Sequence, residues 1–249
     1  MSSMKKKHFF IVLLLVSFNI NNSFAQKNIS RKNQEWIQYY NSIKLSKKFI
    51  LKTDGGYRLK NGFSDPSQYI SRIGLGYKAG AHIQVTAGFA HLGVYTNLYV
   101  SKREYRPYQE LLINDKYDKV TIQHRFRIEE RFFTTSTKNT YYNRFRYRFM
   151  VKIPVLDFSD KRKGSGLYLN LADEVFVHAG KEVVYNAFGA NRVLLGTTFN
   201  LNESLGFTFT YNSEFASTTT AGSFNYSDIF WLGIKHKINL YKKKKNEIN

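Results

Sequence analysis

Cysteine is absent from the 249 residues, so no disulfide supports the fold and no lipid-modified cysteine can anchor the chain. Proline occurs only three times, and each proline removes a backbone donor, so its scarcity leaves long stretches free to join a β-ladder. Past residue 20 no window approaches the roughly 18 consecutive apolar residues of a spanning helix, which excludes a helical membrane protein. Acidic residues are few: 18 Asp and Glu stand against 38 Lys and Arg, a formal net charge of +20. Histidines are sparse, and His82 and His91 lack metal-ligand spacing, so neither a metal centre nor a cofactor is expected.

What is present begins with an export signal. Lys5–Lys7 precede an apolar core at Phe9–Ile20, and Ser23-Phe24-Ala25 supplies small residues for cleavage. Residues 1–25 therefore read as a removed signal peptide. Residues 26–241 follow as one β domain, and 242–249 as a basic tail opened by Lys242–Lys245. Export excludes nucleic acid as the target of the positive charge. Membrane lipid, small anions and lipopolysaccharide phosphates remain as partners, and oligomeric state is left open. The Lys242–Lys245 run reads first as a solvated tail.

The 21 Phe and 18 Tyr suit β-strands. Period-two segments run through the chain at Gln34–Leu45, Phe49–Lys60, Ser67–Lys78, His82–Leu92, Glu104–Ile113, Val120–Phe133, Tyr141–Pro154, Gly166–His178, Phe188–Asn200, Glu203–Phe215 and Tyr226–Tyr241. The clearest pair sets Arg125, Arg127, Glu129 and Arg131 against Phe126, Ile128 and Phe132, then Arg144, Arg146 and Arg148 against Phe145, Tyr147 and Phe149. Successive strand side chains face opposite ways, so each segment has one charged and one greasy face. A lipid-facing barrel satisfies both, with the greasy face outward and the charges in a lumen. Connections alternate short and long, as expected for periplasmic turns and external loops.

These features predict an all-β fold: a closed, antiparallel, up-and-down transmembrane β-barrel. Eleven segments are visible, but single-chain bacterial barrels have even counts, so twelve strands are expected, with ten as the fallback. A missing strand would lie near Lys27–Asn33. The expected lumen-facing charges are Arg58, Arg72, Glu110, Arg125, Arg127, Glu129, Arg131, Arg144, Arg146, Arg148, Glu174 and Arg192. Trp36 and Trp231 are expected in an interfacial aromatic belt.

The arginine segments, with Trp36, Tyr57-Arg58 and Asn191-Arg192, resemble an uncharacterised bacterial outer-membrane β-barrel family, domain of unknown function 2490. The resemblance implies an outer-membrane location and carries over no activity. Three functions stay open. The first is a scaffold or narrow channel with a cationic lumen; the second is a soluble exported β-barrel that binds an amphiphile or acidic ligand. The third is an outer-membrane lipid-modifying enzyme. No nucleophile motif accompanies His178 and Glu174, the one pairing suited to catalysis, so no catalytic residue is assigned.

Overall fold

Alternating β-branched and aromatic residues favour extended backbone, because such side chains pack well on a pleated surface. Each alternating segment forms a strand in the computed structural model, which describes residues 27–160 and 162–241. The expected signal peptide (1–25) and basic tail (242–249) lie outside the described residues. The strands are β1 (Asn28–Lys44), β2 (Phe49–Lys60), β3 (Asp65–Lys78), β4 (Ile83–Thr96), β5 (Tyr99–Tyr117), β6 (Val120–Thr134), β7 (Asn139–Asp157), β8 (Gly166–Ala179), β9 (Phe188–Asn200), β10 (Leu205–Ser217) and β11 (Ser223–Asn239). Consecutive strands pair antiparallel, and the sheet closes on itself.

Among the described residues the count is eleven, not the even twelve or ten expected. Residues 28–33, placed where a further strand was expected, extend β1 instead. Hairpins reverse chain direction at every step, so the first and eleventh strands run the same way. Closure is therefore parallel, from Asn28 opposite Ser223 to Lys44 opposite Asn239. This makes the barrel mixed rather than wholly antiparallel.

All three prolines lie at irregular points of the ladder. Pro66 adjoins the register shift between β2 and β3. Pro107 falls in the unpaired step between Tyr105 and Tyr108, and Pro154 adjoins the shift between β7 and β8. A residue without an N–H is tolerated where the ladder is already broken.

The expected contrast between short and long connections is not found. The end where β1 begins carries residues 61–64, 97–98, 135–138, 180–187 and 218–222. The end where β11 finishes carries 45–48, 79–82, 118–119, 158–165 and 201–204. These are termed the N-terminal and C-terminal ends. Each has one eight-residue connection and is otherwise tightly turned, because strands continue through stretches that read as polar loops. Gly93–Arg103 is the clearest case: β4 and β5 run on to a two-residue turn at Asn97-Leu98. Both turn residues have positive φ, 47° and 70°, as primed hairpin turns require.

Every strand presents exposed apolar residues on its outward face, interrupted by two exposed polar pairs, Gln109 with Glu130 and Asn191 with Asp173. Ile37, Tyr57, Ile73, Val85, Tyr105, Phe126, Phe145, Leu171, Leu195, Phe209 and Leu232 are all exposed, with Ile73 at 52% and Leu195 at 50%. The deepest burial lies inside the barrel, where Leu92, Ile229 and Asn212 have no accessible surface.

Candidate functional site: a charged barrel interior

Register brings the two arginine strands face to face. Arg125 lies opposite Arg148, Arg127 opposite Arg146, and Glu129 opposite Arg144. Two directly opposed arginine pairs would repel, so carboxylates must reach them from flanking strands. Glu110 on β5 lies opposite Arg127, and Glu174 on β8 lies opposite Arg148.

The resulting network is tight. Glu129 is 1% exposed. It accepts from Arg144 Nε at 2.6 Å and Arg146 Nη1 at 2.7 Å, with Arg127 at 3.5 Å and Arg106 at 3.9 Å. Glu174 accepts from Arg125 Nη2 at 2.5 Å and from Arg146 Nε and Nη2 at 2.9 and 2.7 Å. Glu110 accepts from Arg127 Nε at 2.9 Å. Arg131 grips Glu104 with Nε and Nη2, at 2.6 and 2.9 Å. Such forked contacts use the planar guanidinium geometry that lysine lacks.

The other expected inward charges join this interior. Arg72 donates to Asp54 at 2.8 Å, Arg58 to Gln68 at 2.6 Å, and Arg192 to Glu214 at 2.9 Å. Glu104, Arg106, Glu214 and Lys235 were not among the expected inward charges. Glu104 and Arg106 share the parity of Glu110, already expected inward on the same strand, so the signal was present there. The odd Arg103 and Pro107 blurred it on β5.

Trp36 and Trp231 require a correction, because neither belongs to an outward interfacial belt. Trp36 has the parity of Gln38 and is 3% exposed. The parallel closure sets it opposite Trp231, ring centroids 5.0 Å apart and edge-on. The Arg58 guanidinium lies 3.9 Å from the Trp36 ring and Arg192 lies 5.1 Å away, both as cation–π contacts. Outward aromatic pairs are made instead by Tyr57 with Tyr95, hydroxyls 2.7 Å apart, and by Tyr39 with His236.

The lumen divides along its length. Toward the N-terminal end, Leu92, Ile229, Asn212, Glu104 and Glu129 are each at most 1% exposed. A water-filled passage beside them would leave accessible surface, so this layer is packed. Toward the C-terminal end lies a cavity of about 500 Å³, walled by Tyr40, Lys52, Arg125, Arg148, Lys152, Trp231 and Lys235. Arg127, Arg146 and Glu174 form its floor.

Among the described residues the expected pairing of His178 with Glu174 is not formed. The oxygens of Glu174 are engaged by arginine, while His178 packs on the Tyr142 ring at 4.9 Å. His124 contacts the Tyr147 hydroxyl on the outer face. Among the described residues no cluster of three metal-ligating side chains occurs.

Residues 33–225 match the model of a family described as "Protein of unknown function (DUF2490)". The chain belongs to this family. As a DUF2490 protein it carries both arginine strands and nearly the whole sheet inside the matched region. No curated protein matches it. Among solved structures it is similar to the siderophore receptor PirA from Pseudomonas aeruginosa, at 11% identity and a TM-score of 0.31. That match covers 70% of this chain and 33% of the receptor, so the chain spans about a third of the receptor's length.

Proposed function

We propose that this DUF2490 protein spans the bacterial outer membrane as a lipid-embedded scaffold barrel whose lumen is closed to free diffusion. One observation carries the reading: polarity is inverted around the whole sheet, with exposed apolar side chains outside and paired charges inside. In hydrocarbon no water is available to backbone groups, and a closed barrel leaves no strand edge unsatisfied. Lipid is the outward partner. A soluble carrier of amphiphiles would need an apolar lumen, whereas this interior holds Arg106, Arg127, Glu104, Glu110, Glu129 and Glu174 at 8% exposure or less. An odd strand number closed by one parallel pair is compatible with a membrane barrel, as the 19-stranded mitochondrial channel illustrates.

Between scaffold and channel, the packed layer favours the scaffold, and we read no catalysis into the site. Two experiments test this. On fractionation the protein should enter solution only with detergent; recovery in a detergent-free periplasmic extract would end the membrane reading. In planar bilayers the purified protein should give no unitary conductance steps. Reproducible anion-selective steps reduced by Arg146→Glu would replace the closed scaffold with a channel.

A further inference from the structure

We infer that the vestibule at the C-terminal end binds a small, dissolved solute carrying two or more phosphate charges. The inference rests on the closed-lumen reading and extends it, since a blind cavity can hold a ligand that a through-channel would pass.

Charge matching differs sharply between the two levels of the lumen. In the deep layer Arg106, Arg127, Arg131, Arg144, Arg146 and Arg192 each meet a carboxylate at hydrogen-bond distance, while Arg58 is held by Gln68 and the Trp36 ring. At the vestibule level Arg148 donates only to Gln123, at 2.7 Å. Arg125 shares one oxygen of Glu174 with Arg146. Among the described residues Lys152 and Lys235 form no ion pair; Lys152 instead lies 3.8 Å over the Tyr168 ring. The carboxylates that line this cavity are already engaged, Asp54 by Arg72, Glu110 by Arg127 and Lys52, and Glu174 by Arg125 and Arg146, which leaves Arg148, Lys152 and Lys235 without one among the described residues.

Unused donors point the same way. Arg125 Nε, Arg148 Nε and Trp231 Nε1 are buried without a hydrogen-bond partner, and all three residues line the cavity. Buried donors of this kind are normally satisfied, so three around one space mark a place for acceptor oxygens. The lining adds arginine forks and mobile lysine charges, the pair of donor types that suits a multiply charged phosphate. Leu112, Met150 and the Trp231 ring complete the wall and accommodate an apolar part of the ligand. About 500 Å³ lies in the range of small-molecule sites. The barrel wall separates this space from lipid, which makes a dissolved solute the ligand rather than a headgroup.

A second cavity of about 540 Å³ at the rim is lined by Lys116, Lys119 and Lys152. Lys152 lines both cavities, so cationic side chains lead from the rim to Arg148. Fields of this kind raise the local concentration of anions.

The test is titration of the mature full-length protein, in neutral detergent and at constant ionic strength, with inorganic pyrophosphate, read by calorimetry and tryptophan fluorescence. Saturable binding of one pyrophosphate per barrel is expected, weakened at least tenfold by Arg148→Gln and by Lys235→Gln. Lys138→Gln, at the opposite rim, should leave it unchanged. Arg148 has no carboxylate partner, so its substitution should leave the fold intact; were it not to fold, Lys235→Gln carries the comparison. Absence of saturable binding, or equal affinity in the folded vestibule variants, overturns the inference. Conductance and fractionation report separately on the closed-lumen reading, so the two can fail independently.

Discussion

Glu129 is the side chain on which the arginine cluster most depends. It is 1% exposed and faces four guanidinium groups, those of Arg144, Arg146, Arg127 and Arg106. Glu129→Gln keeps the shape and one acceptor but removes the negative charge that separates them. Two unit charges about 4 Å apart interact by roughly 4 kcal/mol at an effective dielectric of about 20. Part of that attraction only offsets desolvation, and breaking a buried pair from one side typically costs about 3–5 kcal/mol. We expect Glu129→Gln to lower unfolding free energy by about 3–5 kcal/mol, measured by urea titration in lipid vesicles with tryptophan fluorescence. Adding Arg144→Gln should restore at least about 1 kcal/mol, since Glu129 is the carboxylate that Arg144 contacts and neighbouring substitutions couple. A Glu129→Gln protein within about 0.5 kcal/mol of the parent would refute the reasoning. So would a double variant no more stable than the single one.

Further outcomes follow from the same structure. Leu195→Arg, placed on the exposed apolar face, should destabilise the vesicle-embedded barrel by about 2–4 kcal/mol if that face meets mid-bilayer lipid. The same change on a water-facing surface would cost about 0.5 kcal/mol or less, so the vesicle measurement separates the two. Gly88 lies against the Tyr108 ring, where a Cβ would sit 2.5 Å from Cζ and 2.6 Å from the Ile73 carbonyl. Gly88→Val should therefore cost about 1–3 kcal/mol through overpacking, seen as a lower urea midpoint. Trp36→Phe should cost stability through lost contact with Arg58 and Arg192, whereas removal of a lipid-interface tryptophan would shift membrane partitioning instead.

Much of this molecule could be read from period two alone. The alternation of Arg125–Arg131 and Arg144–Arg148 placed those charges on one face, and the export expected from residues 1–25 pointed that face inward. The closing seam could not be read, because parallel pairing of Asn28–Lys44 with Ser223–Asn239 is a contact between chain ends with no local signal. For the same reason Trp36 and Trp231 looked like isolated belt residues until closure set them side by side. The packed layer was hidden differently. Ile70, Leu92 and Ile229 are apolar residues on the inward parity, so a polar-against-apolar count passes over these buried interior positions. Loop lengths misled because strand and loop share polar composition near the rims, as at Gly93–Arg103.

The central claim is that the exposed apolar face meets lipid while the opposite face is shut inside. The cysteine-free sequence permits single nitroxide labels at Ile73, Val193 and Leu195, three of the most exposed outward positions. In reconstituted vesicles, paramagnetic relaxation should show all three accessible to oxygen, which concentrates in hydrocarbon, and shielded from a water-soluble nickel chelate. Ready relaxation by the nickel chelate at these positions would place that face in water and contradict the account.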